Sequence, residues 1–199
     1  IYSIEKFLIA RRLMYWQVYL HKTVVSAENM LIKILKRAKS LITNDVNIFT
    51  TPSLKIFLRN NFTKEDFEKD PHLLANFSEL DDFDIYTCLK YWKDCDDFVL
   101  SSLSRRIINR EILKIKIVKE PIQEKEKDYL IDLFCKKHNC SKEEAGFFIF
   151  SYRVSNNTYN IEKSNINILM KNGDVIDIAT ASDQFNIEYR AADAAACPH

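Results

Sequence analysis

Apolar and polar positions along residues 3–42 recur with the period of a helix, and no glycine or proline interrupts the run. Ser3 stands where a cap belongs, so the spacing predicts one long helix ending near Ile42. On a wheel of about 100° per residue, Ile9, Leu13, Trp16, Leu20, Val24, Ala27, Leu31 and Ile34 share one side. Ile4, Leu8, Arg11, Tyr15, Tyr19 and Lys22 share the other. Neither side is made for solvent alone, which predicts a central helix with a partner on each face. Further helix starts follow at Thr51-Pro52, at the capping-box pattern Thr63 to Asp66, and at the acid-first segments 81–94 and 97–110. The first 110 residues therefore read as all-helical.

The period changes at Ile112 to Val118, where alternation predicts a strand with one wet face. A helix near 123–139, a β-branched and aromatic run from Phe147 to Val154, and strands at Asn165 to Met170 and Val175 to Ile178 come next. The Asn172-Gly173 pair between the last two predicts a hairpin with a type I′ turn. The fold class is α+β, mainly α: a long central helix and helical bundle over 1–119, then a small β-α-β-β-β subdomain over 120–190. Residues 191–199 (AADAAACPH) are small and unlike the rest, and are expected to fray.

Composition narrows the chemistry. The 199 residues hold only two glycines, Gly146 and Gly173, where average usage would supply about 14. Glycine-rich phosphate cradles need several glycines close together, so any phosphate here must be met by side chains. The five cysteines contain no C-x-x-C and the four histidines no H-E-x-x-H, which leaves no metal-site spacing and suits reduced thiols in a cytoplasmic setting. The longest runs without a charged residue are Leu13 to His21 and Val46 to Leu54, too short to cross a bilayer. A first residue of Ile1 leads us to expect a piece of a longer protein.

Charge is unevenly spread. Residues 1–42 carry eight Lys/Arg against two Glu, residues 62–97 four against eleven Asp/Glu, and residues 98–119 six against one. Alternation of this kind suits internal pairing or self-association better than a nucleic-acid track. Arg11, Tyr15, Tyr19 and Lys22, at i, i+4, i+8 and i+11, form one stripe that could serve as a nucleotide rail: an arginine fork for phosphate, two rings for sugar or base, and a lysine charge. From residue types alone the favoured reading is that the stripe packs its tyrosines in a core while its cations reach solvent. The acids Asp81, Asp82 and Asp84 open a helix, as caps and dipole partners ordinarily do.

The segment FLIARRLMYWQVYLHKTVVSAENML (7–31), with its A-R-x-x-M-Y-x-x-V-Y-x-H-K pattern from Ala10 to Lys22, resembles the helix after the metal-binding core of the HD-domain phosphohydrolases of the deoxynucleoside-triphosphate triphosphohydrolase type. LDDFDIYTCLKYW (80–92), SRRIINREILKI (104–115) and SNINILMKNGDVIDIATASDQFNI (164–187) resemble the C-terminal half of a bacterial subgroup. The resemblance implies that Arg11 contacts the substrate triphosphate, that Tyr19 lines the nucleoside pocket, that Tyr15 is a further substrate-binding residue, at a position held by histidine in the eukaryotic member, and that His21 and Lys22 approach phosphate or an effector nucleotide. Gln17 stands where an effector-site arginine would be. The resemblance further implies a divalent metal (Mg, Mn or Fe) held by His and Asp residues upstream of Ile1, a nucleoside-triphosphate substrate and a homo-oligomer. This chain would then be a substrate wall and scaffold, inactive without the metal-binding half and binding no metal itself. The alternative is a helical oligomerisation or protein-interaction module with no nucleotide role; nucleic-acid binding through 1–42 and 98–119 comes third.

Overall fold

The helical spacing of the first half becomes seven helices in the computed structural model, which describes residues 2–118, 120–154, 166–178 and 192–197. They are α1 (Tyr2–Met14), α2 (Lys22–Thr43), α3 (Pro52–Arg59), α4 (Lys64–Lys69), α5 (Pro71–Ser78), α6 (Asp82–Trp92) and α7 (Phe98–Asn109). Then come β1 (Lys114–Val118), α8 (Glu124–His138), α9 (Lys142–Ala145), β2 (Phe150–Val154), β3 (Asn167–Leu169), β4 (Val175–Asp177) and β5 (Ala192–Cys197). The fold is α+β and mainly α.

The single helix expected over 3–42 is interrupted. Tyr15–Tyr19 is π-helical, and α2 starts afresh at Lys22. Tyr15, Trp16, Val18 and Tyr19 are aromatic or β-branched and lose side-chain freedom against a preceding α-turn, so freedom from glycine and proline did not guarantee one helix. Ser3 lies inside α1 rather than ahead of it. Of the two faces expected to find partners, that of Leu8 is buried, together with Glu5, whereas Ile9 and Leu13 of α1 and Trp16 of the π segment, on the other, are exposed.

The capping signals read well. Asp81 accepts from the Phe83 and Asp84 amides at 2.8 and 3.2 Å while Asp84 accepts from the Asp81 amide, a reciprocal box that gives this acidic cluster its structural role. At α4 the Asp66 carboxylate accepts from the Thr63 amide at 2.7 Å and the Thr63 hydroxyl at 2.8 Å. These bonds, the backbone one foremost, hold the Asp66 pKa below its ordinary 3.8. A carboxyl with a depressed folded pKa contributes stability that is present above the unfolded value and lost as pH falls through the folded one. The Thr63 amide shift is therefore expected to be flat at neutral pH and to move only below about pH 4. Asp66→Asn should remove that titration.

The chain forms two units, each assembled from separated segments. One comprises 1–25, 114–139 and 149–198; the other comprises 26–113 and 140–148 with residue 199.

In the first unit, β1, β5 and β2 form an antiparallel sheet in that order, with Ile115 opposite Ala196 and Ala196 opposite Phe150. Residues 192–197, whose composition suggested fraying, thus form the middle strand. The alternation of β1 holds: Ile115 is buried, and Lys114 and Lys116 are exposed. Val25 and Ile115 pack with Leu20 and Tyr152, and Leu8 packs on Ile178 with Ile4, Ile166 and Ile168.

The predicted hairpin is the β3–β4 pair, with Ile168 opposite Ile176. Its turn is not type I′. The Gly173 amide bonds to the Met170 carbonyl at 3.0 Å, the Met170 amide to the Asp174 carbonyl at 2.8 Å, and Gly173 has φ +90° whereas Asn172 is not left-handed. This is the three-residue loop in which a type I turn leads into a left-handed glycine. Asn172 instead spends its side chain on Asp174, accepting from that residue's amide at 3.2 Å. A Cβ at Gly173 would meet nothing within 4 Å, so Gly173→Ala isolates the backbone cost. It should destabilise this unit by about 1 kcal/mol in urea unfolding, and Gly173→Asn by less. The region from 155 to 165, including the predicted start of the β3 strand at Asn165, lies outside the described residues, as do 179–191.

In the second unit the core is Met30, Ile34 and Ala38 of α2 with Cys88, Leu89 and Trp92 of α6 and Val99, Leu100 and Leu103 of α7. The Trp92 indole donates to the Phe49 carbonyl at 2.7 Å. Phe57, Phe62, Phe67 and Phe77 bind α3, α4 and α5 together through ring contacts. Asp97 caps α7 by accepting from the Leu100 amide at 2.8 Å and also pairs with Arg37 of α2 at 2.6 Å. The hydrogen bond to Asp97 raises the Arg37 pKa against the opposing effect of burial. The helix α9, absent from the sequence reading, begins with Ser141 and Glu144 in a capping box.

Candidate functional site

The site residues inferred from the sequence stand on α1, the π segment and the first turn of α2, all within the first unit. The defining hydrogen bond of the widened turn runs from the Leu20 amide to the Tyr15 carbonyl at 2.8 Å, five residues back. Leu20 then leaves helical geometry (φ −99°, ψ 15°), and the Val25 amide bonds to the His21 carbonyl at 3.0 Å as α2 begins. One extra residue in a turn rotates everything beyond it by about 100° relative to everything before it. A stripe read on an ideal helix therefore survives on one side of the turn and is redirected on the other.

Three of the five residues are brought together. The Arg11 guanidinium carbon lies 5.8 Å from the centre of the Tyr15 ring, and the Tyr15 and Tyr19 rings are 5.0 Å apart at 46°. Tyr15 is half-buried, Tyr19 is 53% exposed, and Arg11 is exposed. Among the described residues Arg11 makes no ion pair, so its forked donors remain available while the ring beneath restrains its position. A guanidinium beside two accessible ring faces can take a phosphate oxygen and a flat or ribose-like group together.

Lys22 and His21 fall beyond the π turn. Both are exposed, and His21 Nδ1 accepts from the Thr23 amide at 3.3 Å, in the place of an N-cap for α2. The sequence reading missed this cap because histidine is not among the residues that usually mark a helix start. The π turn had a weak signal, the clustering of three aromatics and a valine over Tyr15–Tyr19.

The neighbouring surface of α1 and the π segment is apolar: Phe7, Leu13, Met14 and Val18 are all exposed. A separate open depression between β1 and the start of α8 is lined by Lys116, Glu120, Pro121, Gln123 and Glu126. Its two carboxylates make it a poor receptor for phosphate. Among the described residues no three His, Cys, Asp or Glu side chains are placed to hold a metal ion. Among the same residues no helix is long and apolar enough to cross a membrane.

No family model matches the chain. Along its whole length it is similar to a phosphohydrolase of solved structure from Bacteroides thetaiotaomicron VPI-5482, with 41% identity and a TM-score of 0.86. The chain accounts for 50% of that structure. It is also 35% identical over 115 residues to the uncharacterized protein YwfO of Bacillus subtilis (strain 168), matching 57% of this chain and 24% of that protein. This chain thus shares the fold of one half of a phosphohydrolase.

Proposed function

We propose that this chain is the C-terminal part of a metal-dependent phosphohydrolase of the HD-domain type, acting on nucleoside or deoxynucleoside triphosphates in the cytoplasm. Its part is to build the substrate wall. Arg11 takes the triphosphate through its guanidinium fork, Tyr15 holds Arg11 from beneath, and Tyr19 offers its exposed face to the nucleoside. His21 and Lys22, which follow the π segment, serve a second phosphate contact or an effector. The observation that carries this reading is the Arg11–Tyr15–Tyr19 stack on the π segment. The 41% identity to half of a phosphohydrolase supports the reaction class.

The metal that activates water in such enzymes is assigned here to residues outside this chain, and no chemical step is derived from it. The exposed apolar face at Phe7, Leu13, Met14 and Val18 would seat that catalytic portion. The same face favours a second reading, in which the chain is a docking or homo-oligomerisation module without a nucleotide role. Phosphate and triphosphate release from a panel of nucleoside triphosphates by the whole protein with Mn²⁺ separates the two. Turnover of at least one nucleotide is expected; none with any nucleotide leaves the docking reading.

A further inference from the structure

The helix α6 carries rings on the side that its own unit leaves uncovered. Its inner face is settled: Cys88, Leu89 and Trp92 are 1% exposed or less, and the reciprocal bonds of Asp81 and Asp84 fix its start. A helix with one buried face ordinarily turns polar residues to solvent on the other. On α6 that other face holds Phe83, 80% exposed, and Tyr86, 54% exposed, with exposed Lys90 in line. Tyr91 widens it: its exposed ring stacks on Phe49 at 3.9 Å, and the Phe49 carbonyl accepts from the Trp92 indole at 2.7 Å. Exposed rings on a helix anchored this firmly have the composition of an interface core.

The order of groups along the face says what fits it. Acid stands at the start, where Asp82 is exposed, and base at the end, where Lys90 is exposed and Lys93 caps the helix. Lys93 reaches Asp94 of its own chain at 3.6 Å and keeps further donors free for a second acceptor. Phe83 and Lys90 lie two helical turns apart and point almost the same way, and the midpoint between them falls between Tyr86 and Thr87. A two-fold axis through that midpoint lays α6 antiparallel on its own copy. Phe83 then meets Lys90 of the second copy, a cation on a ring, and symmetry makes the contact twice. Asp82 comes alongside Lys93 of the second copy, and the two Tyr86 rings meet at the axis. The helix dipoles also run in opposition. A parallel pairing would instead set Asp82 against Asp82 and Lys90 against Lys90.

We propose that α6 is a homodimer surface, paired antiparallel with α6 of a second copy about a two-fold axis at Tyr86. The surface belongs to the second unit and stands whether or not Arg11 takes a nucleotide.

Sedimentation equilibrium and thiol cross-linking of the whole protein test this. The wild type should associate in even numbers at micromolar concentration. Tyr86→Arg sets two like charges at the axis and should raise the dissociation constant about 100-fold. Tyr86 is more than half exposed, so the urea midpoint of that variant should hold. Under mild oxidation Tyr86→Cys should form an intermolecular disulfide that the wild type does not, because the axis brings position 86 against itself. Phe83→Cys should stay uncross-linked, since position 83 lies about 10 Å from its counterpart along the pair. A wild type that stays monomeric throughout the micromolar range, an assembly that Tyr86→Arg leaves intact, or cross-linking at position 83 in place of 86 would overturn the proposal.

Discussion

Replacing Arg11 with alanine is expected to lower kcat/KM for a nucleoside triphosphate about 10- to 100-fold, because a charge-assisted hydrogen bond is worth about 1.5–3 kcal/mol and each 1.4 kcal/mol is about tenfold. The loss should be almost wholly functional. Arg11 is exposed and, among the described residues, lies beside the Tyr15 ring and makes no ion pair, so the urea midpoint should move little. Arg11→Lys should fall between, because an ammonium keeps the charge but cannot present two parallel donors or lie flat on a ring. Steady-state kinetics of the three proteins, with urea unfolding as a control, check this. An Arg11→Ala protein that keeps full activity would remove the role assigned to Arg11 even if the protein is a hydrolase.

The largest expected loss of stability comes from Asp97→Ala. Arg37 Nε lies 3.1 and 3.2 Å from the two carboxylate oxygens and Nη2 lies 2.6 Å from one of them. The side chains are only 15% and 14% exposed, so this pair is largely removed from water. Asp97 also caps α7 through the Leu100 amide. Alanine removes the cap, worth about 1 kcal/mol, and leaves a guanidinium beside the Phe147 ring without its counter-charge. Breaking such a pair from one side costs more than the pair contributes, and about 3–5 kcal/mol of total destabilisation is expected. Asp97→Asn restores the cap but not the charge, and should recover about 1 kcal/mol. Urea midpoints at unchanged m-value measure both.

The legible parts of this fold were those written in local chemistry. Asp81 with Asp84, Thr63 with Asp66, and Pro52 after Thr51 each mark a helix start through a bond or a missing donor that only that position tolerates. The alternation of Ile115 with Lys114 and Lys116 and the Asn172-Gly173 pair located a strand and a hairpin for the same reason. What escaped was decided at longer range or by small differences. Leu20, whose amide closes the π turn, packs on the cluster of Val25 and Ile115, the second of them far along the chain. The hairpin pattern told where to turn but not how: the turn is type I, with the Asp174 amide donating to the Asn172 side chain. The strand at 192–197 draws its place from partners on β1 and β2, with no signal in its own alanines.

The stripe illustrates both sides. Spacing of four between Arg11, Tyr15 and Tyr19 was enough to foresee that they meet. Extrapolating three further residues to Lys22 assumed an unbroken helix, and the run breaks at Leu20 before α2 begins at Lys22. The glycine shortage and the Arg11–Tyr15–Tyr19 contacts both support the proposed mechanism, phosphate recognition by a side chain mounted on a ring.

The measurement that bears most directly on that mechanism is a crystal structure of the whole protein with a non-hydrolysable deoxynucleoside triphosphate analogue. The account predicts triphosphate oxygens about 2.7–2.9 Å from the Arg11 guanidinium, with the nucleoside against the Tyr19 ring. An analogue bound elsewhere, with Arg11 and Tyr19 both facing solvent, would contradict it.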